Sequence, residues 1–323
     1  MLISIVVPTY RRAPLLSKCL IALSQQSFPK EDFEVIVISD GPDDETATVI
    51  SSLTETTAIN IKYLSLPEKR GPAAARNAGW KNAKGKLIAF TDDDCLPDPK
   101  WLTHLWQHFE SIDVEPLAMS GKIVVPVSEE PTDYEKNTQN LETAEFITAN
   151  CACSASALEI TGGFDETFSM AWREDSELQF KLLEYKVPIE HVPAAVVIHP
   201  VRRAPWGISL REQRKTMFNA LLYRKYPRLY RNKIQRRPVW TYYLIVLSFI
   251  LMMTFALNTN TVAALVAGLV WLALTSSFII KRLSGTSRAH SHIVEMVVTS
   301  FAIPFLSVYW RLYGSWKFRT LFF

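Results

Sequence analysis

An α/β fold with a mostly parallel central sheet, followed by α-helical membrane segments, is what the 323-residue sequence predicts. Three observations predict it. Apolar strand-like runs alternate with helix-period runs from residue 2 to residue 91, polar or acidic loops close the strand-like runs, and two long uncharged stretches lie near the C-terminus.

The elements follow in order. Residues 2–8 are an apolar strand, and residues 14–26 carry helical periodicity. Strands at 34–39, 61–66 and 87–91 alternate with helices at 44–53 and 72–83. Strands punctuated by helices imply right-handed βαβ crossovers, hence a mostly parallel sheet. Ligands of such sheets bind beyond the carboxyl ends of the strands. Tyr10 to Arg12, Asp40 with Gly41, and Asp92 to Asp94 all fall on that edge. Beyond Pro99 the order is less regular: a strand at 118–125, a polar loop at 126–142, a helix at 173–185 and a strand at 189–199. There is no internal repeat and no low-complexity segment. The N-terminus lacks the basic region and small-residue cleavage site of a signal peptide, and reads as the first strand.

Charge divides the chain into three. Residues 1–200 hold 17 Lys/Arg against 30 Asp/Glu, residues 201–237 hold 12 against Glu212 alone, and residues 238–323 hold 6 against Glu295. An acidic body of residues 1–200, a basic juxtamembrane collar and an apolar tail therefore follow one another. The collar's place beside the apolar tail favours anionic lipid headgroups over nucleic acid. Four cysteines, Cys19, Cys95, Cys151 and Cys153, form no C-x-x-C pair. Buried thiols are the simpler reading, with metal binding through Cys151 and Cys153 the alternative.

Residues 239–257 and 261–280 are free of charge, and each is long enough to cross a ~30 Å hydrocarbon core at ~1.5 Å per residue. Asn258, Thr259 and Asn260 join them in a tight hairpin. Basic residues flank both ends, Arg236 and Arg237 before the pair and Lys281 and Arg282 after it, which places both flanks in the cytosol. The acidic body is then cytosolic too. A third apolar stretch, 293–310, contains Glu295 and Pro304 and has basic and aromatic neighbours. It reads as an interfacial helix or as a third span.

The consecutive carboxylates of Asp92, Asp93 and Asp94, set against an apolar strand, need compensation by a cation or by hydrogen-bond donors. Hard oxygen ligands on a short loop suit Mg²⁺ or Mn²⁺ shared with substrate phosphates. A solvated turn is the competing reading. Glu174 and Asp175 open a predicted helix, where the macrodipole favours negative charge for purely local reasons as well.

Six motifs in order then carry a resemblance: IVVPTYRR (5–12), VISDG (37–41), GPAAARN (71–77), FTDDDC (90–95), GGFDE (162–166) and WRED (172–175). Together, over residues 2 to about 200, they resemble the family 2 glycosyltransferases, whose catalytic domain has the GT-A fold, a Rossmann-like architecture. The resemblance implies a donor-binding set of Pro8, Thr9, Tyr10, Arg12, Asp40, Arg76, Asp92 and Asp93, taking a nucleoside-diphosphate sugar, a UDP-sugar foremost. It implies Mn²⁺ or Mg²⁺ held by Asp94 and Asp92, with His199 either a further ligand or structural. It makes Asp175 the general base, with Glu174 beside it. Gly162, Gly163 and Phe164 resemble the acceptor-side loop, and Trp172 packs either on the acceptor or in the core.

Processive members carry an Arg-Trp pair in a Gln/Arg-x-x-Arg-Trp motif, whereas this chain has REQRKT at 211–216. Single-sugar transfer to a lipid-linked or membrane-proximal hydroxyl is therefore expected, from a protein of the bacterial inner membrane. Two alternatives stay open: polyprenyl phosphate as the acceptor, and a catalytically silent nucleotide-binding scaffold.

Overall fold

The computed structural model describes residues 1–322 of the chain; residue 323, the last of the expected membrane region, lies outside the described residues. The chain divides into two compact units. The first comprises residues 1–126 and 139–201, the second residues 127–138 and everything from residue 202 onward.

The first unit is built on an eight-stranded sheet: β1 (Ile3–Thr9), β2 (Phe33–Ser39), β3 (Asn60–Ser65), β4 (Leu87–Phe90), β5 (Leu96–Pro97), β6 (Ala118–Val124), β7 (Cys151–Ser154) and β8 (Ile189–Ile198). The strand order is β3-β2-β1-β4-β7-β6-β8-β5. The first four strands of that order pair in parallel. β7 runs antiparallel to both β4 and β6, while β6 and β8 are parallel to each other. The sheet is thus mixed, its parallel half being the part with the clearest βα alternation.

The helices are α1 (Ala13–Ser24), α2 (Asp44–Thr56), α3 (Pro72–Lys81), α4 (Trp101–Ser111), α5 (Asp133–Gln139), α6 (Ala155–Thr161) and α7 (Glu174–Glu184). β1, β2, β4 and β7 are buried along their whole length, as expected of strands covered on both faces. One core cluster joins Val6, Ile38 and Phe90 of the sheet to Phe164, Leu178 and Leu182. α4 was not expected from sequence. Its Trp101, Leu102, Leu105, Trp106 and Phe109 nevertheless recur at helical spacing and are buried.

Because two antiparallel steps restore direction, β8 runs parallel to β4. The residues after β1, β2, β4 and β8 therefore emerge at one edge, which gathers Tyr10, Asp40, Asp92 and His199. All four cysteines are free and buried, as the simpler reading held.

The second unit continues with α8 (Ile208–Glu212), α9 (Phe218–Lys225), a single turn α10 (Pro227–Leu229), α11 (Trp240–Leu257), α12 (Thr261–Leu283) and α13 (His290–Lys317). The last three are each long and apolar enough to cross a membrane. The segment expected as a polar loop instead contains α5 and belongs largely to this unit. Asp133 Oδ2 pairs with Arg282 Nη2 at 2.8 Å, and the Asp133 amide donates to His292 Nε2 at 3.0 Å. Asn260 caps α12 by accepting from the Ala263 amide.

Candidate active site

Asp92, Asp94, Cys95 and His199 each offer a ligand atom within 4.8 Å of the others. Asp94 Oδ1 stands 3.7 Å from His199 Nε2, and His199 Nδ1 is buried without a hydrogen-bond partner. Two carboxylates and an imidazole are a donor set that suits Mn²⁺, and also Mg²⁺ where water and phosphate complete the shell. Burial pushes the Cys95 thiol well up, with Asp92 and Asp94 adding to the effect.

Arg76 organises this edge. Its Nη2 donates to Asp92 Oδ1 at 2.8 Å and its Nη1 to Glu174 Oε1 at 3.1 Å, and its side chain is only 4% exposed. Burial would raise the Asp92 carboxyl, but the charge and hydrogen bond of Arg76, with His199 and Arg12, hold it below the usual carboxylate range. Glu174 moves the other way: burial and the neighbouring Asp175 raise its carboxyl despite Arg76. The guanidinium expected on donor phosphates thus spends two donors on carboxylates, joining the Asp92 loop to the start of α7.

The remaining residues expected to bind the donor make the following contacts. Pro8 and Thr9 finish β1. Thr9 Oγ1 donates to Asp93 Oδ2 at 2.7 Å, and Arg12 Nη1 lies 3.2 Å from Asp93 Oδ1. Burial still lifts the Asp93 carboxyl to about 6 against the pull of Arg12 and Thr9. Asp93 therefore ties β1 to the aspartate loop. Asp40 accepts from the Arg70 amide at 2.7 Å and the Gly71 amide at 2.9 Å, fixing the loop before α3. Gly71 has φ +100°, and a Cβ there would come within 2.5 Å of the Ser169 carbonyl oxygen. Tyr10, half-buried, carries the Lys69 ammonium 4.2 Å over its ring.

In the loop expected on the acceptor side, Gly162 and Gly163 end α6 with φ near +70°. A Cβ on Gly163 would meet Trp80 Nε1 at 2.4 Å, so the backbone must pass bare. Phe164 is buried in the core, edge-on to Phe90 at 5.3 Å. Trp172 is half-buried beneath the Arg173 guanidinium at 4.7 Å. Asp175 Oδ1 accepts from the Ser176 amide at 2.6 Å, which fixes its orientation in the first turn of α7.

Sequence reasoning gave no role to Asn77 or Arg173. Asn77 Nδ2 donates to the Phe164 carbonyl and its Oδ1 accepts from the Phe164 amide, both at 2.9 Å, so it clamps the glycine loop onto α3. Its signal was a polar residue inside a helix, a place where Asn is disfavoured unless something occupies its amide. Arg173 holds φ +76° immediately before Glu174, a left-handed conformation that non-glycine residues adopt at a cost.

A mannosyltransferase from Pyrobaculum calidifontis, solved with GDP-Man and Mn²⁺, superposes with a TM-score of 0.57 over 98% of this chain and 87% of that one, at 16% identity. The fold is therefore GT-A. Residues 4–158 match the model of glycosyl transferase family 2. Glycosyltransferase AglE of Haloferax volcanii is 36% identical over 100 residues, 31% of this chain and 33% of that protein. Validoxylamine A glucosyltransferase of Streptomyces hygroscopicus is 28% identical over 250 residues, 66% of this chain and 56% of that protein. The chain thus spans between a third and just over half the length of these two relatives.

Proposed function

We propose that the protein is a membrane-anchored, metal-dependent, inverting glycosyltransferase that moves one sugar from a nucleoside-diphosphate sugar to a hydroxyl of a lipid-linked or membrane-proximal acceptor. The observation that carries this reading is the cluster of Asp92, Asp94 and His199, joined through Arg76 to Glu174 and Asp175 at one sheet edge. Asp94, Asp92 and His199 would hold Mn²⁺ or Mg²⁺, which when bound supplies positive charge to the donor diphosphate. Asp175 takes the proton of the acceptor hydroxyl as that oxygen attacks the anomeric carbon, and the nucleoside diphosphate departs from the opposite face. Arg76 keeps Asp92 ionised and Glu174 in place. The three apolar helices support anchoring, and the basic flanks of the hairpin support a cytosolic catalytic unit, in keeping with a bacterial inner membrane.

Transfer of radiolabelled sugar from a panel of nucleoside-diphosphate sugars, UDP-sugars first, into the organic extract of membranes containing the full chain tests this. Mild acid should release the label, where it releases it at all, as part of a larger glycan. Release as the free monosaccharide would shift the acceptor to a polyprenyl phosphate, for which Asp175 need not act as a base. No product with any donor would favour a silent nucleotide-binding scaffold.

A further inference from the structure

α13 is as long as a membrane span, yet its surroundings within the second unit are those of a helix lying flat. Its buried positions include His292, Met296, Thr299, Ser300, Ile303, Ser307, Arg311 and Gly314, one face with helical spacing, half of whose buried residues are polar. The opposite face is exposed and apolar: Val294, Val298, Phe301, Tyr309, Leu312 and Trp316.

The residues preceding the hairpin accompany α13 along almost all of its length. The Gly207 amide donates to Glu295 Oε1 at 2.7 Å near one end. Farther along, Gly314 packs so tightly on Met217 that a Cβ would reach its carbonyl oxygen at 2.5 Å. Past the other end, Arg224 Nη1 donates to the Phe318 carbonyl at 2.9 Å. From Glu295 to Phe318 a helix rises roughly 34 Å at ~1.5 Å per residue, more than a ~30 Å hydrocarbon core. The accompanying segment carries Arg211, Glu212, Arg214, Lys215 and Arg224. Were α13 to cross the bilayer, these charges would cross beside it, which hydrocarbon strongly disfavours.

A second observation is independent of charge. Arg282, in the last turn of α12, donates through Nη1 to Thr299 Oγ1 at 2.7 Å and Ser300 Oγ at 3.0 Å. Arg311 Nη2 donates to Gln235 Oε1 at 3.1 Å, and Gln235 lies just before the start of α11. Both ties are made at the same end of the hairpin, its mouth, although they are separated by roughly 18 Å of α13 at ~1.5 Å per residue. Between them Phe301 and Phe305 pack on Trp271 and Phe249. A helix crossing alongside the hairpin would meet its mouth once.

We infer that α13 is an in-plane helix that docks in the cytosolic lipid interface across the mouth of the α11–α12 hairpin. Its apolar face meets acyl chains, and the basic collar faces anionic headgroups. Tyr309, Leu312 and Trp316 are residue types suited to that depth. The described residues then cross the bilayer twice, and both ends of α13 lie on the cytosolic side. This inference rests on the membrane placement proposed above.

Single substitutions Ser291→Cys, Lys317→Cys and Thr259→Cys in the full chain, in sealed vesicles with the cytosolic face outward, provide the test. The probe is a membrane-impermeant maleimide, against which the four buried native cysteines give a low background. Ser291→Cys and Lys317→Cys should label in intact vesicles, and Thr259→Cys only after permeabilisation. Protection of Lys317→Cys until permeabilisation would mean that α13 crosses, overturning the inference and leaving the hairpin intact. Labelling of Thr259→Cys in intact vesicles would overturn the spanning hairpin, and the in-plane helix with it. A second measurement needs no cysteine: a fluorescent protein that matures only in the cytosol, fused after the last residue, should fluoresce. Alkaline phosphatase, active only outside, should be silent there, and the reverse pattern contradicts the inference.

Discussion

Asp175 and Arg76 have different work, and substitution should separate them. Asp175→Asn keeps the hydrogen bonds of α7 but removes the proposed base, so transfer to a hydroxyl should fall ~10²–10⁴-fold. Nucleotide binding with metal should persist, because its ligands remain; unchanged transfer would remove Asp175 as the base. Arg76→Gln leaves Glu174, whose side chain is 5% exposed, without its counter-charge. Removing one partner of a buried pair costs about 3–5 kcal/mol. Denaturant titration of the full chain should show a loss of that order, and no loss would mean that Glu174 is protonated or hydrated without Arg76. The aspartate loop and the start of α7 were legible in the sequence because each is a short contiguous motif. Their connection was not, since Arg76 reaches residues 16 and 98 positions away in the chain. Likewise Asp40 and Asp93 lie where sequence put them, but their carboxylates bind the Arg70 and Gly71 amides and the Thr9 hydroxyl.

At the scale of elements, α2 depends on its cap. Asp43 accepts from the Thr46 amide at 3.2 Å, the Thr46 hydroxyl at 2.7 Å and the Arg11 amide at 2.7 Å. Partial burial would raise its carboxyl, but these hydrogen bonds and the Arg11 charge outweigh it and hold it below the usual range. A carboxyl lowered on folding stabilises above its unfolded pKa, and that stability is lost as pH falls through its folded value. Asp43→Ala should therefore cost about 0.5–2 kcal/mol at pH 7. The difference between wild type and variant should shrink below about pH 4, near the ordinary Asp pKa; a difference independent of pH would deny the carboxylate its part. β1 to β4 were readable because βα alternation is a local pattern. β5 has two residues and β7 four, too short for any periodicity. Their order depends on Asn150, which accepts from Trp101 Nε1 and donates to the carbonyls of Lys122 and Ala195, and on the bulge between Gly121 and Lys122. Residues 127–138 read as a loop because no local signal announces that Asp133 will meet Arg282.

For the whole molecule, the hairpin should resist extraction of the full chain by high salt and carbonate, because insertion of spans is not an electrostatic effect. A chain ending at Tyr226 would lose α11 to α13, and with them the cover of Phe218, whose ring packs on Phe318 at 5.9 Å. That truncated form is expected to aggregate on gel filtration, and a monodisperse peak would show that residues 202–226 are stable without α13. The central claim is that Asp94 takes part in metal-dependent binding of a nucleoside diphosphate, and the full chain in detergent offers the direct measurement. Thermal unfolding should be followed with UDP and with GDP, with and without Mn²⁺, in wild type and in Asp94→Asn. A ligand at 100 times its Kd stabilises by about 2.7 kcal/mol, so the midpoint shift is measurable. The expected result is a shift in wild type with nucleotide and Mn²⁺ together, larger than with either alone, that is absent in Asp94→Asn. An equal shift without the metal, or in Asp94→Asn, would contradict it.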